Sequence, residues 1–236
     1  MDFIRVESYE KMSRMAANII AAQIILNKKS VLGLATGSTP IGVYDRLVKL
    51  CNDGDIDLSE VSTINLDEYC GVSPESPNSY SFFMNENLFD RVNINVQNTH
   101  VPNGCAQNIA EECKRYDELI DKLGGIDIQL LGIGKNGHIG FNEPSTSFKK
   151  GTHEISLNES TRIANSRFFG NLQDVPKSAI TVGIRTIMNA KRIILIANGE
   201  SKKEIVEKAF FGPVTPEVPA SILQLHPNLT VIFSEK

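Results

Sequence analysis

The sequence predicts an α/β fold: an open, mostly parallel sheet with helices on both faces, in three layers. Three observations carry this. Short unbroken apolar runs such as Arg192-Ile-Ile-Leu-Ile-Ala197 are bounded by turn residues, as in parallel strands buried on both faces. They alternate with longer segments of helical periodicity, the order that builds a parallel sheet. A chain of 236 residues with 41% hydrophobic content fits one large domain with a substantial core, read here as residues 1–236.

In chain order, residues 9 to 27 place Met12, Met15, Ala16, Ile19, Ile20 and Ile24 at helical spacing. Ser30-Val-Leu-Gly-Leu-Ala35 is a short buried strand that runs into Thr36-Gly-Ser-Thr-Pro40 and a helix through Tyr44, Leu47 and Val48. Val61 to Leu66 is the next strand, ending in Asp67-Glu68-Tyr69. Beyond the irregular loop Pro74 to Pro77, Ser79 caps a helix carrying Phe83, Leu88 and Phe89. Val101-Pro-Asn-Gly104 is a turn, and a charged helix from Ile109 to Leu123 stops at Gly124-Gly125.

A strand through Ile126, Ile128, Leu130 and Leu131 then opens a stretch punctuated by Gly132, Gly134, Gly137 and Gly140. From Ser145 to Gly170 the chain is polar and without clear periodicity, so residues 145–170 are a candidate lid, with a plain surface excursion as the alternative. Ala179 to Ile184 leads into a short helix, and Arg192 to Ala197 gives way to Asn198-Gly-Glu-Ser201 and a helix with Lys202 and Lys203. Ala220 to His226 and Thr230 to Phe233 complete the core.

Composition excludes several classes of function. A formal charge of −4 argues against a nucleic-acid or anionic-membrane partner. No apolar run approaches the roughly 20 residues of a bilayer span. The N-terminus lacks the basic-then-apolar layout of a signal peptide, so a cytoplasmic location is expected. Cys51, Cys70, Cys105 and Cys113 are too scattered for a framework and read as reduced thiols. His100, His138, His153 and His226 have no ligand spacing, so no metal is expected.

Three stretches suggest chemistry. Gly132 to Pro144 sets Asn136, His138 and Glu143 at the carboxyl end of a strand, the edge where open α/β sheets bind ligands. A histidine beside a carboxylate is a proton-transfer pair, and the alternative is a tight loop with a capped histidine. Thr36, Gly37, Ser38 and Thr39 form a turn that opens a helix at a proline. There free N–H groups, hydroxyls and the helix dipole suit an anion, although an ordinary N-cap is the plainer reading. Neither a Walker motif nor GxGxxG is present. Asp67 and Glu68 are adjacent and point to opposite faces, so only one of them can enter a pocket, and a helix cap or a solvated acidic turn is the alternative reading.

Taken in order, Leu32-Gly-Leu-Ala-Thr-Gly-Ser-Thr-Pro40, Asn65-Leu-Asp-Glu-Tyr69, Gly132-Ile-Gly-Lys-Asn-Gly-His-Ile-Gly-Phe-Asn-Glu-Pro144, Ala164-Asn-Ser-Arg-Phe-Phe169 and Leu223-Gln-Leu-His-Pro227 cover nearly the whole chain. Together they closely resemble the deaminase branch of the glucosamine/galactosamine-6-phosphate isomerase family, which has a Rossmann-like sheet. The resemblance implies conversion of glucosamine 6-phosphate and water to fructose 6-phosphate and ammonium, with no cofactor. It implies Asp67 as the base that moves the C2 proton to C1, and His138 as the group that opens the sugar ring. Glu143 would orient that imidazole. The phosphate would lie on Gly37, Ser38 and Thr39, completed by Arg167 and Lys202.

Two departures stand out. Asn136 stands where many members carry aspartate, which implies a weaker electrostatic push on His138. Asn136→Asp is therefore expected to move the pH–rate profile, and an unmoved profile contradicts that reading. The chain also stops soon after its last strand, and the activator-binding basic cluster of longer, hexameric members is not clear near Lys149-Lys150. An unregulated short form, monomeric or a small homo-oligomer, is expected. The nearest rival reading is a 6-phosphogluconolactonase, and a second is a catalytically inactive phosphosugar sensor.

Overall fold

The computed structural model describes residues 1–236, except the side chains of residues 160, 164, 165, 167, 168 and 172. The implied phosphate ligand Arg167 therefore lies outside the described side chains.

The main sheet contains β1 (Asp2–Val6), β2 (Val31–Leu34), β3 (Ser62–Asn65), β5 (Thr99–His100), β6 (Ile128–Leu131), β9 (Arg192–Asn198) and β10 (Leu229–Ser234). Its order is β1-β10-β9-β6-β2-β3-β5, with every neighbouring pair parallel. The interior strands bury both faces, which is why they read as continuous apolar runs rather than alternating ones. Leu32, Leu34, Leu130, Ile194 and Ile196 face one apolar cluster, while Leu131, Ile193, Leu195 and Val231 face the other.

Helices cover each face. Helix α1 (Tyr9–Leu26) and α2 (Ile41–Asn52) place Met12, Ala16, Ile20, Val43 and Leu47 in the first cluster, joined by Met84 of α3 (Tyr80–Asn87). On the second face, α4 (Ile109–Lys122) supplies Tyr116 and Ile120. There α6 (Ile184–Met188) adds Ile187, and α7 (Lys203–Phe211) adds Val206 and Phe210. The expected three-layer, open parallel fold is the one observed.

A second sheet was not foreseen. β4 (Asp67–Tyr69), β8 (Ser178–Thr181) and β7 (His153–Ser156) pair antiparallel in the order β4-β8-β7. The run from Val61 to Tyr69 is thus divided. The Leu66 N–H donates to Leu34 O in the first sheet (3.3 Å), while its carbonyl accepts from Val182 N (2.7 Å) beside the second. The polar stretch 145–170 likewise contains β7 and α5 (Glu159–Phe169) instead of irregular chain. β7 is short and half-exposed, so it lacks an apolar run.

Strand order fixes where a ligand can sit. From β2 the chain steps outward to β3 and β5, then returns to β6 on the other side of β2. At such a reversal the two carboxyl-terminal loops splay apart and leave a crevice. The loops that leave this crevice's strands are Thr36–Thr39 and Gly132–Pro144.

Candidate active site

The loop after β2 is fixed from several directions. Gly37 has φ +96°, a left-handed conformation that other residues adopt only at a cost. The Tyr9 hydroxyl, on α1, lies 3.1 Å from Thr39 O and accepts from Gly42 N (2.8 Å). Thr39 Oγ1 donates to Asn198 Oδ1 at 3.1 Å, linking the loop to the end of β9. Pro40 is the N-cap of α2, without a side-chain cap bond, so Ser38 and Thr39 are not spent as ordinary caps. An anion at this terminus would meet the positive end of the helix dipole. Lys202 lies in the turn after β9, and its ammonium donates to Ile133 O at 2.5 Å, at the start of the β6 loop.

Asp67 and Glu68 diverge as strand alternation requires. Glu68 accepts from Tyr69 N (2.8 Å), Tyr80 N (3.0 Å) and Ser81 N (2.9 Å), and is thereby committed to the start of α3. Asp67 is 6% exposed. Among the described residues it has no hydrogen-bond donor. Burial, with a smaller contribution from the Glu68 charge, pushes its pKa up to about 8. The aromatic rings of Tyr69, Tyr80 and Phe141 pack together at centroid distances of 4.8 to 5.9 Å and form an apolar wall beside β4.

The glycine loop packs against this carboxylate through Gly140. A Cβ on Gly140 would lie 3.3 Å from Asp67 Oδ2, which places the loop against the acid. Thr181 Oγ1 accepts from Phe141 N at 3.0 Å, and Asn142 Nδ2 donates to Ile139 O (3.0 Å) and Val182 O (2.9 Å). The loop is thereby tied to β8. Gly134 packs beneath the His138 ring, where a Cβ would come within 2.2 Å of an imidazole carbon. Glycine is required there because the ring lies on the backbone itself.

His138 and Glu143 face each other, with Nδ1 and Oε2 3.8 Å apart. That is an electrostatic contact, too long for a hydrogen bond. Asn136 bridges the two residues: its Nδ2 donates to Glu143 Oε2 (2.7 Å) and its Oδ1 accepts from His138 N (3.2 Å). Thr161 Oγ1 donates to Glu143 Oε1 (2.5 Å), and Asn158 Nδ2 to Oε2 (3.2 Å). Burial alone would raise the Glu143 pKa, but His138 and these donors outweigh it and hold the carboxyl at about 2. In Asn136→Asp a second carboxylate would stand where an amide now donates to Oε2. The two acids would share a proton, so the acid limb of the pH–rate profile should move to higher pH. A pH series of ammonium release on both proteins checks this.

The structure thus brings together Asn136, His138 and Glu143 on a loop whose Gly140 lies against Asp67, with the Thr36–Thr39 loop on the same sheet edge. Tyr9, Thr161 and Asn158 join them, although sequence reading did not select them. Among the described residues no three His, Cys, Asp or Glu side chains are grouped as metal ligands.

The chain matches the family described as glucosamine-6-phosphate isomerases/6-phosphogluconolactonase over residues 6–232. It is 61% identical, over 98% of both chains, to glucosamine-6-phosphate deaminase of Lachnoclostridium phytofermentans. It is 52% identical to that of Clostridium botulinum, covering 100% of this chain and 97% of the relative. A solved structure of a monomeric glucosamine-6-phosphate deaminase superposes with a TM-score of 0.97 at 47% identity, covering 99% of this chain and 97% of that one. The 6-phosphogluconolactonase of Thermotoga maritima shares the fold, with a TM-score of 0.79 at 20% identity, over 100% of this chain and 99% of that one. With its loops, its sheet and its full-length relatives in agreement, this chain belongs to the glucosamine-6-phosphate isomerase/6-phosphogluconolactonase family.

Proposed function

We propose that the chain is a glucosamine-6-phosphate deaminase of amino sugar catabolism, converting its substrate and water to fructose 6-phosphate and ammonium. The observation that carries this is Asp67, a buried carboxylate of raised proton affinity that lies against Gly140 of the loop carrying the His138–Glu143 pair. A lactonase needs to activate water at an ester carbonyl and has no use for a base at a carbon acid.

The reaction divides among these groups. His138 accepts the C1 hydroxyl proton and returns one to the ring oxygen, opening the pyranose to an aldehyde. Glu143 stabilises the transient imidazolium. The substrate's C2 ammonium, placed near Asp67, draws its carboxylate into the ionised form, since an opposite charge within about 4–6 Å lowers a carboxyl pKa. Asp67 then takes the C2 proton, and the C–H electron pair forms the C1=C2 bond as the C1 carbonyl π pair moves onto O1. O1 takes a proton from the C2 ammonium to leave an enolamine; Asp67 then delivers its proton to C1. The resulting C2 imine adds water and releases ammonium.

Thr36, Gly37, Ser38 and Thr39 are the proposed phosphate cradle, with Lys202 and Arg167 as its cations. Residues 145–170 are the proposed lid. The chain is proposed to act as a monomer in the cytoplasm, a reading supported by the 47% identical monomeric deaminase and by the phosphosugar substrate.

The test is product analysis with the purified protein. Glucosamine 6-phosphate should yield ammonium and fructose 6-phosphate in equal amounts. Acid release from 6-phosphogluconolactone without ammonium would overturn the reading in favour of the lactonase. Phosphosugar binding with neither activity would overturn it in favour of a sensor.

A further inference from the structure

We propose that Thr161, assisted by Asn158, is a positioning residue that ties the Glu143 carboxylate to helix α5 and so sets its orientation toward His138. This deepens the deaminase reading and rests on it.

The start of α5 is built unusually. Asn158 occupies the N-cap position with extended backbone, φ −62° and ψ 149°, yet its side chain makes no cap bond. An N-cap asparagine ordinarily accepts from an amide in the first turn of its own helix. Here its Nδ2 donates outward to Glu143 Oε2 at 3.2 Å instead. Thr161, in that first turn and 5% exposed, donates to Glu143 Oε1 at 2.5 Å. The two polar side chains that would serve the helix are turned to one carboxylate, itself 7% exposed. Glu143 in return brings a negative charge to the helix N-terminus, where the dipole favours it.

The arrangement leaves a mark on the histidine. Glu143 Oε1 is taken by Thr161, and Oε2 is shared by Asn136 and Asn158. Among the described residues His138 Nδ1 is buried and has no hydrogen-bond partner, with Oε2 3.8 Å away. A movement of about 1 Å would bring the pair to hydrogen-bond distance. The donors on α5 govern that movement. Thr161 therefore acts on turnover through Glu143 and not on sugar binding.

The test uses the full chain and ammonium release from glucosamine 6-phosphate, with melting temperatures recorded for each variant. Thr161→Val removes the hydroxyl at nearly constant shape and should lower kcat about 10-fold, the lower bound for a hydrogen bond to a charged group. KM should stay within about 2-fold, because the interaction is not made to substrate. Thr161→Ser should restore kcat to within about 3-fold, since a serine hydroxyl supplies the same donor. In a Glu143→Gln background, Thr161→Val should cost nothing further, because its charged partner is gone.

An unchanged kcat, an equal loss in both backgrounds, or a rise in KM alone would overturn the proposal. If Thr161→Val does not fold, the exposed Asn158→Ala decides: lowered kcat supports the proposal and unchanged kcat overturns it. A wild type that releases no ammonium would overturn the deaminase reading and this inference together. An active wild type with insensitive variants would overturn the inference alone.

Discussion

Replacing Asp67 with asparagine should lower ammonium release at least ~100-fold, the lower range for loss of a general base, while making the protein more stable at pH 8. Both effects come from the same burial. Folded Asp67 has its pKa pushed up to about 8, whereas in an unfolded chain it titrates near the ordinary carboxylate value of about 3.9. Between those values the unfolded chain releases a proton that the folded chain retains. Wild-type stability contributed by this group is therefore fully present below about pH 4 and is lost as pH rises through about 8.

Asparagine has no proton to lose. Its advantage in melting temperature should be small at pH 4, grow with pH and be largest at pH 8, where each kcal/mol is about 2–4 °C for a chain of this size. Melting curves at the two pH values check this. A wild type that matches or exceeds the variant at pH 8 would mean that Asp67 is not held as a desolvated acid. The enzyme would then have no poised base.

His138→Gln should also lose about 10²- to 10⁴-fold, but with a different signature. Its proposed task is ring opening, which the sugar also undergoes unaided in water. At high enzyme concentration the variant's rate should therefore plateau at the spontaneous opening rate, whereas the rate of Asp67→Asn should stay proportional to enzyme. Progress curves over an enzyme series distinguish them. A His138→Gln rate that remained strictly proportional would place the histidine in a step after opening.

The chemistry-bearing loops were legible because their signals are local. Glycines at the ends of apolar runs marked where strands β2 and β6 give way to the crevice, and strand alternation foretold the separate fates of Asp67 and Glu68. Other features depend on contacts distant in sequence. Tyr9 lies on a helix and reaches a loop some thirty residues on, with nothing in its surroundings to mark it. Thr161 and Asn158 look like residues that would start their own helix, and only the tertiary structure shows their hydrogen bonds going to Glu143.

The missed strands have a physical reason as well. β1 lies at the sheet edge and leaves Asp2 and Arg5 exposed, so it has no unbroken apolar run. β5 has only two residues. The handover at Leu66 left no trace in composition, because a residue that bonds to two sheets is as apolar as one that bonds to a single sheet.

The most direct test of the central claim, that Asp67 carries the C2 proton to C1, follows that proton itself. Glucosamine 6-phosphate deuterated at C2 should be turned over once by excess enzyme in ordinary water, and C1 of the fructose 6-phosphate examined by NMR. A single carboxylate screened from solvent predicts deuterium at C1, together with slower turnover than for the unlabelled sugar. Complete loss of the label to water, with no change in rate, would contradict the account.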